Sequence, residues 1–305
     1  MDQKRRFYSG VPNHCYQNTK NGFLLFYTIS DYLVYFTTVC IYAQKHHVKV
    51  TSLCLMPDHS HSNLLANSST KLSAYYRDVS SAYAQSEELT GNDIFIIFNR
   101  PFGSAPKKGD KMIRTNFIYI GNNPVERKLC SKAAEYRWNF LAYAKSDHPF
   151  SKKLVIRRAS WQMKKAIKEI KGVHSRLRPL THRQIKRLAA GLNHEERLQL
   201  IDFIIATYSV IDYEYSIRYF GGYDKMLKAM EYNTGSEYDV NEVFVGKSDA
   251  CYSQIAKWLI SNLHLNDIHE VFKMPEKERK DLMWMIHYEL GINLKQLAKY
   301  MRILL

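Results

Sequence analysis

The sequence predicts an α+β protein in which a small helix-covered sheet is followed by an all-α C-terminal domain. Strand-like and helical segments alternate through the first half in the order β-α-β-β-α-β-α, which is typical of mixed layer folds. Beyond residue 153 the apolar residues recur at helical spacing. We therefore predict a mixed domain at 1–153, a basic helical linker at 154–190 and a helical domain at 191–305.

The first five elements follow from local patterns. Residues 11–17 form a strand candidate, and Asp31 can cap the long helix that follows it. Residues 48–55 and 59–66 are strand-like and separated by a short turn, so they predict a β-hairpin. Residues 71–89 carry apolar and tyrosine side chains at helical spacing, which predicts a helix whose tyrosines mostly fill the core.

Two further elements and a loop complete the mixed domain. Residues 93–100 hold a continuous apolar run, which indicates a buried strand. Residues 101–110 contain two glycines, two prolines and two lysines, which predicts either a phosphate-contacting loop or an ordinary exposed connection. Residues 112–122 are expected to form a helix that Pro124 closes.

The second half is predicted to be helical throughout. The expected helices cover one or two segments within 156–190 and the ranges 198–205, 212–220, 223–232, 252–263 and 275–290. A last short helix at 294–301 follows a turn at Gly291, which resembles the first half of a helix-turn-helix. The alternative is an αα-hairpin in which Met283, Trp284 and Leu297 belong to the core.

Two histidines, His59 and His61, stand one residue apart beside the predicted hairpin turn. On a strand, side chains at i and i+2 leave the same face, roughly 7 Å apart. Two neutral imidazoles at this spacing can hold one divalent cation. Taken alone, such a pair also arises by chance in a chain with 12 histidines.

A second group of polar residues lies on the predicted helix at 112–122. Tyr119 and Asn123 are at i and i+4, so they share one helix face. A phenol beside a neutral oxygen ligand complements the histidine pair. Together these groups suit metal-assisted attack on a phosphodiester.

In these two motifs the chain resembles the single-tyrosine HUH transposases, and it is most similar to their REP-associated tyrosine transposase branch. Residues 56–65 read MPDHSHSNLL where the family has MPNHVHLL, and residues 119–125 read YIGNNPV where the family has YIHxNPV. The resemblance spans roughly residues 5 to 150 and includes a segment similar to the family's closing Y-x-W. The chain departs from the pattern at Asp58, Ser60 and Gly121, and Ser60 predicts a more loosely packed strand.

The resemblance implies a fold, a cofactor and a reaction. The fold is a ferredoxin-like or RRM-like antiparallel sheet with helices, and the cofactor is Mg²⁺ or Mn²⁺ held by His59, His61 and Asn123. Tyr119 would attack a phosphodiester and form a 5′-phosphotyrosine, and the implied substrate is single-stranded or hairpin DNA. The base that activates Tyr119 is not evident from the sequence.

Two other classes of function stay open. The chain could be a domesticated, non-catalytic nucleic-acid-binding protein on the same scaffold. The intact set of His59, His61, Tyr119 and Asn123 argues against this alternative, while Ser60 and Gly121 leave room for it. The chain could also be a metal-dependent phosphoesterase that acts on small nucleotides, with Tyr119 purely structural. A covalent protein–DNA adduct would distinguish the transposase-like enzyme from both.

Basic residues are concentrated in one part of the chain. The formal net charge of +15 divides into +9 for residues 1–155, +10 for residues 156–190 and −4 for residues 191–305. A basic domain with a basic arm is the electrostatic footprint of a nucleic-acid-binding protein, although a basic segment can also be a solvated linker. The predicted contacts to nucleic acid are Arg77, Arg100, Lys107, Lys108, Arg114, Arg157 and Arg158.

Cysteine usage and the N-terminal sequence bear on location. Five scattered cysteines without a C-x-x-C pair indicate a reducing compartment and disfavour a structural zinc site. The first residues show no apolar signal region, and the longest apolar window is interrupted by polar residues. We expect a cytoplasmic, nucleoid-associated protein without a membrane span, either a monomer or a homodimer.

Overall fold

A four-stranded antiparallel sheet lies at the centre of the first half. The computed structural model describes residues 6–86, 97–98, 101–232 and 248–305. The strand order is β2-β3-β1-β4, and each neighbouring pair is antiparallel. The strands are β1 (Asn13–Asn18), β2 (Lys49–Met56), β3 (His59–Leu65) and β4 (Gly103–Pro106).

Helices make up most of the remaining described residues. Three belong to the mixed first half: α1 (Ile29–His46), α2 (Ser69–Ser86) and α3 (Gly109–Glu126). The described residues beyond 156 contain helices and no named strand, in agreement with a helical second half. These helices are α4 (Trp161–Ser175), α5 (His182–Ala189), α6 (His194–Tyr208), α7 (Tyr213–Ile217), α8 (Tyr223–Tyr232), α9 (Cys251–Leu263), α10 (Glu276–Leu290) and α11 (Leu294–Met301).

One face of the sheet packs against α1 and α2. Ser60 and Ser62 alternate with the histidines of β3 and therefore project to this face. The Tyr35 hydroxyl of α1 lies 2.9 Å from Ser60 Oγ, and the Tyr76 hydroxyl of α2 lies 2.8 Å from Ser62 Oγ. Ser60 is 4% exposed, so the expectation of a loosely packed strand is wrong, because buried tyrosines fill the space beside the serines.

The opposite face carries the histidines and is covered by α3. His61 on β3 lies directly across from Tyr16 on β1, so both side chains leave the sheet on this side. Apolar residues of β2 and α3, including Met56 and Phe117, share one buried cluster here. The sheet thus separates an apolar layer formed with α1 and α2 from a layer that contains the histidines.

Two sequence predictions about this region are wrong. Residues 101–110 were expected to form a loop, but β4 pairs with β1 and is the outermost strand of the four, a position that tolerates proline. A Cβ on Gly103 would lie 2.1 Å from Tyr16 Cζ, so a larger residue here would require the Tyr16 ring to move. Helix α3 also continues past Pro124 to residue 126, since a proline near a helix end removes only one internal hydrogen bond. Most of the strand predicted at 93–100 lies outside the described residues.

The basic segment packs against the first half through its apolar side. Met163, Ile167 and Ile170 of α4 are buried in the same cluster as Val34 and Cys40 of α1. Helix α6 joins this cluster, whereas the lysines of α4 face outward. The domain boundaries at 153 and 190 stay predictions.

Helices α9, α10 and α11 form a second apolar cluster, and Leu24 from the first half joins it. Met283 and Leu297 are buried there, as an αα-hairpin predicts. Trp284 is 43% exposed, so its expected place in the core is wrong. No helix within the described ranges has the length and hydropathy that crossing a bilayer requires.

A buried carboxylate connects α6 to the end of the mixed domain. Asp202 is 1% exposed and accepts hydrogen bonds from the Tyr143 hydroxyl at 2.7 Å and the Ser151 hydroxyl at 2.9 Å. The backbone N–H of Phe150 donates to it at 3.1 Å, and the Arg137 guanidinium forms an ion pair with it. One carboxylate therefore satisfies four donors within the segment 137–151.

Replacing Asp202 with alanine is expected to destabilise the protein strongly. Asp202→Ala leaves the largely buried Arg137 charge without its carboxylate, which typically costs about 3–5 kcal/mol in the free energy of unfolding. The matched control is Asp224→Ala, which removes the ion pair between Lys145 and the 81% exposed Asp224 side chain and is expected to leave stability unchanged. Urea denaturation measures both variants, and an equal loss in the two would contradict the anchoring role of Asp202.

Candidate functional site

The two histidines of β3 lie together as the sequence spacing requires. The ring centroids of His59 and His61 are 4.7 Å apart, and the ring planes are nearly perpendicular. His59 is 4% exposed and His61 is fully buried. The hairpin turn at Pro57 and Asp58 places this pair at one end of the sheet.

A third histidine, His14 on β1, lies beside the pair. Its Nε2 is 3.1 Å from His61 Nδ1, and it is fully buried. His14 is absent from the predicted site, although its place inside the predicted strand at 11–17 was a usable signal. The antiparallel pairing of β1 with β3 brings His14 to the histidine face.

Tyr119 on α3 lies against these imidazoles. Its ring centroid is 5.4 Å from that of His61 and 5.6 Å from that of His14, with both pairs in edge-on geometry. Tyr119 is 6% exposed, and Asn123, one turn further along α3, is 2% exposed. The structure therefore brings the predicted nucleophile to the histidines, in a buried setting.

Asp58 connects His59 to the C-terminal half. Its Oδ1 lies 2.6 Å from His59 Nδ1, and its Oδ2 forms an ion pair with Lys299 of α11. Burial alone would raise the pKa of the Asp58 carboxyl. The interactions with His59 and Lys299 outweigh burial and hold that pKa well below its usual range. Asp58 is therefore an ionised acceptor, so His59 Nδ1 is the donor in this hydrogen bond.

The donor set fits a divalent cation in its chemistry. Two imidazoles and an amide oxygen form a mixed nitrogen and oxygen set of the kind that tolerates Mn²⁺ and Mg²⁺. A carboxylate on the second nitrogen of a histidine is typical of metal-ligating imidazoles. The hydrogen bond of His59 to Asp58 uses Nδ1, so Nε2 is the nitrogen that this ring would offer to a cation. The contact between His61 Nδ1 and His14 Nε2 is compatible with either tautomer of the two rings. Within the described ranges, no group of three or more His, Cys, Asp or Glu residues is arranged to hold a metal. The predicted set of His59, His61 and Asn123 contains only two residues of these types, because its third donor is an amide oxygen. That these three residues bind a metal stays a prediction.

Packing against the C-terminal half explains why residue 121 is a glycine. A Cβ on Gly121 would lie 2.8 Å from Met230 Sδ and 3.2 Å from Leu141 Cδ1. The neighbouring Asn122 donates from its side-chain amide to the carbonyl of Met230 at 2.7 Å. Helix α8 therefore occupies the space that a larger side chain at position 121 would need.

The predicted nucleic-acid contacts differ in exposure. Arg77 is exposed and pairs with Asp78, and Lys108 is exposed with its Nζ 3.2 Å from the centroid of the Tyr8 ring. Lys107 is fully buried, so its expected place on an exposed loop is wrong. Arg100 lies outside the described residues, and the remaining three are exposed, namely Arg114, Arg157 and Arg158.

Comparisons with known proteins find little similarity to this chain. No protein-family model matches the chain, and no curated protein matches it. A solved structure that it matches is a REP-associated tyrosine transposase bound to a REP hairpin. The two chains share 18% sequence identity with a TM-score of 0.40, over 46% of this chain and 82% of the other. Similarity of this extent supports a distant relationship at most.

A histidine at position 121 is expected to destabilise the protein through steric overlap with α8. Gly121→His should lower the free energy of unfolding by about 1–3 kcal/mol, and adding Met230→Ala should restore part of that loss. Gly172→His is the control, because the nearest atom to a Cβ on Gly172 of α4 is 3.6 Å away. Thermal denaturation measures all variants. Equal losses at the two glycines, or no recovery with Met230→Ala, would contradict this packing.

Proposed function

We propose that this chain is a transposase-like, metal-dependent endonuclease and strand transferase that acts on single-stranded DNA, at sites flanked by hairpins. The observation that carries the proposal is the position of Tyr119, whose ring lies edge-on to His61 and His14 on the histidine face of the sheet. Residues separated by more than a hundred positions in the sequence meet there. We place this activity in the cytoplasm.

The cation requirement follows from the donor set. His59, His61 and Asn123 would hold Mg²⁺ or Mn²⁺ and leave positions for phosphate oxygens. When bound, such a cation polarises the scissile phosphate and offsets the charge that develops in the transition state. The hydrogen bond between Asp58 and His59, at 2.6 Å, would orient the His59 ring toward the cation.

Tyr119 is the nucleophile in this proposal. Its phenolic oxygen attacks phosphorus, the bond from phosphorus to the 3′ oxygen breaks, and a 5′-phosphotyrosine forms. The phenol loses a proton in this step and the departing 3′ oxygen gains one, so the proton count balances. The covalent link retains the energy of the broken bond, so attack by a 3′-OH can rejoin DNA ends.

Exposed arginines would hold the DNA backbone. Arg157 and Arg158 lie together before α4 and are solvent-exposed, within the segment that carries a net charge of +10. Contacts of this kind position a strand through its phosphates and carry no sequence information.

Covalent trapping tests the proposal. Incubation with a labelled hairpin single strand and Mn²⁺ is expected to give a protein–DNA adduct that resists denaturation, and Tyr119→Phe is expected to abolish it. Tyr16→Phe is the matched control, because Tyr16 also lies near His14, with ring centroids 6.2 Å apart. Loss of the adduct in Tyr16→Phe but not in Tyr119→Phe would identify Tyr16 as the nucleophile. An adduct that survives Tyr119→Phe would overturn the assignment.

Binding of single strands is expected to depend on Arg157. Arg157→Ala should weaken binding for all sequences alike and reduce the slope of log affinity against log salt by about 1. Lys277→Ala, an exposed change on α10 in the acidic half, is the control and should leave the slope unchanged. Fluorescence anisotropy at several salt concentrations measures both, and equal slopes in the two variants would contradict this surface assignment.

One observation favours a second function, a non-catalytic nucleic-acid-binding protein on the same scaffold. Tyr119 is 6% exposed, and its hydroxyl meets a phosphate only after the covering side chains move. Salt-dependent binding of single strands without any adduct in Mn²⁺ would support this second function over the enzyme.

A further inference from the structure

The C-terminal helix α11 reaches into the candidate site. Lys299 is 23% exposed and forms an ion pair with Oδ2 of Asp58, which is 12% exposed. The other carboxylate oxygen, Oδ1, lies 2.6 Å from His59 Nδ1. A chain of contacts therefore runs from the second half of the protein to one of the two imidazoles on β3.

We propose that Lys299 is a positioning residue of the candidate site and acts on His59 through Asp58. This inference rests on the proposed function, since it assigns His59 Nε2 to the ligand side. Lys299 engages one carboxylate oxygen and keeps the other directed at His59 Nδ1. The ring is then held in one orientation and one tautomer, with its proton on Nδ1 and its lone pair on Nε2.

The position of Lys299 is itself fixed by packing. Its neighbours Ala298 and Tyr300 are 3% and 1% exposed. The Tyr27 hydroxyl, just before α1, donates to the carbonyl of Tyr300 at 3.2 Å. Lys299 is therefore presented to Asp58 by a helix that is anchored on both sides of it.

A second contact joins the C-terminal half to the helix that carries Tyr119. The backbone N–H of Asp249 donates to the carbonyl of Arg127, the residue that directly follows α3, at 3.1 Å. The Gln296 side chain on α11 donates to the carbonyl of Ser248 at 2.9 Å. Helix α11 is thus tied to the end of α3 as well as to the hairpin turn, which places Lys299 relative to both parts of the site.

This arrangement gives physical roles to two departures from the family pattern. Asp58 stands where the family has asparagine, and a carboxylate is what an ion pair with Lys299 requires. Gly121 stands where the family has histidine, and it makes room for Met230 of the C-terminal half. Both departures fit a site that the C-terminal half completes.

Comparison of Lys299→Met with Lys295→Met tests the inference. Lys295 is exposed on the same helix, so its replacement removes the same charge without touching Asp58. Nitrogen-15 NMR of the metal-free protein reports the His59 tautomer, and titration calorimetry with Mn²⁺ reports affinity. We expect Lys299→Met to mix the two tautomers of His59 and to weaken Mn²⁺ binding about 10- to 100-fold, the usual effect of removing an outer partner of a ligand. Lys295→Met should change neither, and Lys299→Arg should restore most of the affinity.

A double-mutant cycle with Asp58→Asn separates positioning from a structural effect. If Lys299 acts through Asp58, the double variant should bind Mn²⁺ no more weakly than Asp58→Asn alone. Additive losses of Mn²⁺ affinity in the double variant would overturn the inference. An unchanged His59 tautomer in Lys299→Met would also overturn it, provided that circular dichroism shows the variant to be natively folded. The tautomer readout needs neither metal nor DNA. A failure to form the Tyr119 adduct is therefore distinguishable from a failure of Lys299 to position His59.

Discussion

The pairing of β1 with β3 is the constraint on which the rest of the site depends. It places Tyr16 opposite His61 and brings His14 beside the imidazole pair. Because strand side chains alternate, a slip of one residue would turn the imidazoles toward α1 and α2. The hydroxyl contacts of Ser60 with Tyr35 and of Ser62 with Tyr76 oppose such a slip, since these serines would otherwise face the apolar cluster beneath α3. Ser60 and Ser62 therefore help to specify the register.

The two halves of the chain are more closely connected than their compositions suggest. Helix α8 fills the space beside Gly121, and α11 supplies the cation that pairs with Asp58. A carboxylate on α6, Asp202, binds the segment that ends the mixed domain. A site on the sheet is thus enclosed by helices that are distant in sequence. Tyr119 shares its buried cluster with Met226 and Met230 of α8. In the function we propose, a DNA strand would reach the phenol only when such covering segments separate.

Local patterns in the sequence predicted the elements that position the site. They did not predict the contacts between segments that are distant in the sequence. The spacing of His59 and His61 on a strand and of Tyr119 and Asn123 on a helix follow from periodicity alone. Strand β4 was not predicted because glycine and proline are typical of loops, and the close approach of the Tyr16 ring to Gly103 depends on the pairing of two distant segments. The burial of Lys107 and the exposure of Trp284 depend on neighbours that periodicity does not specify. The contact of Lys299 with Asp58 spans most of the chain, and no local pattern signals it.

We propose that residues of β3 and α3 converge on one divalent cation. Anomalous diffraction from crystals soaked in Mn²⁺ tests it most directly, because the metal is located without reference to activity. We expect a single strong peak within coordination distance of the His59 and His61 rings, on the side that faces α3. A peak elsewhere on the protein, or none at these imidazoles when they are clearly resolved, would contradict it.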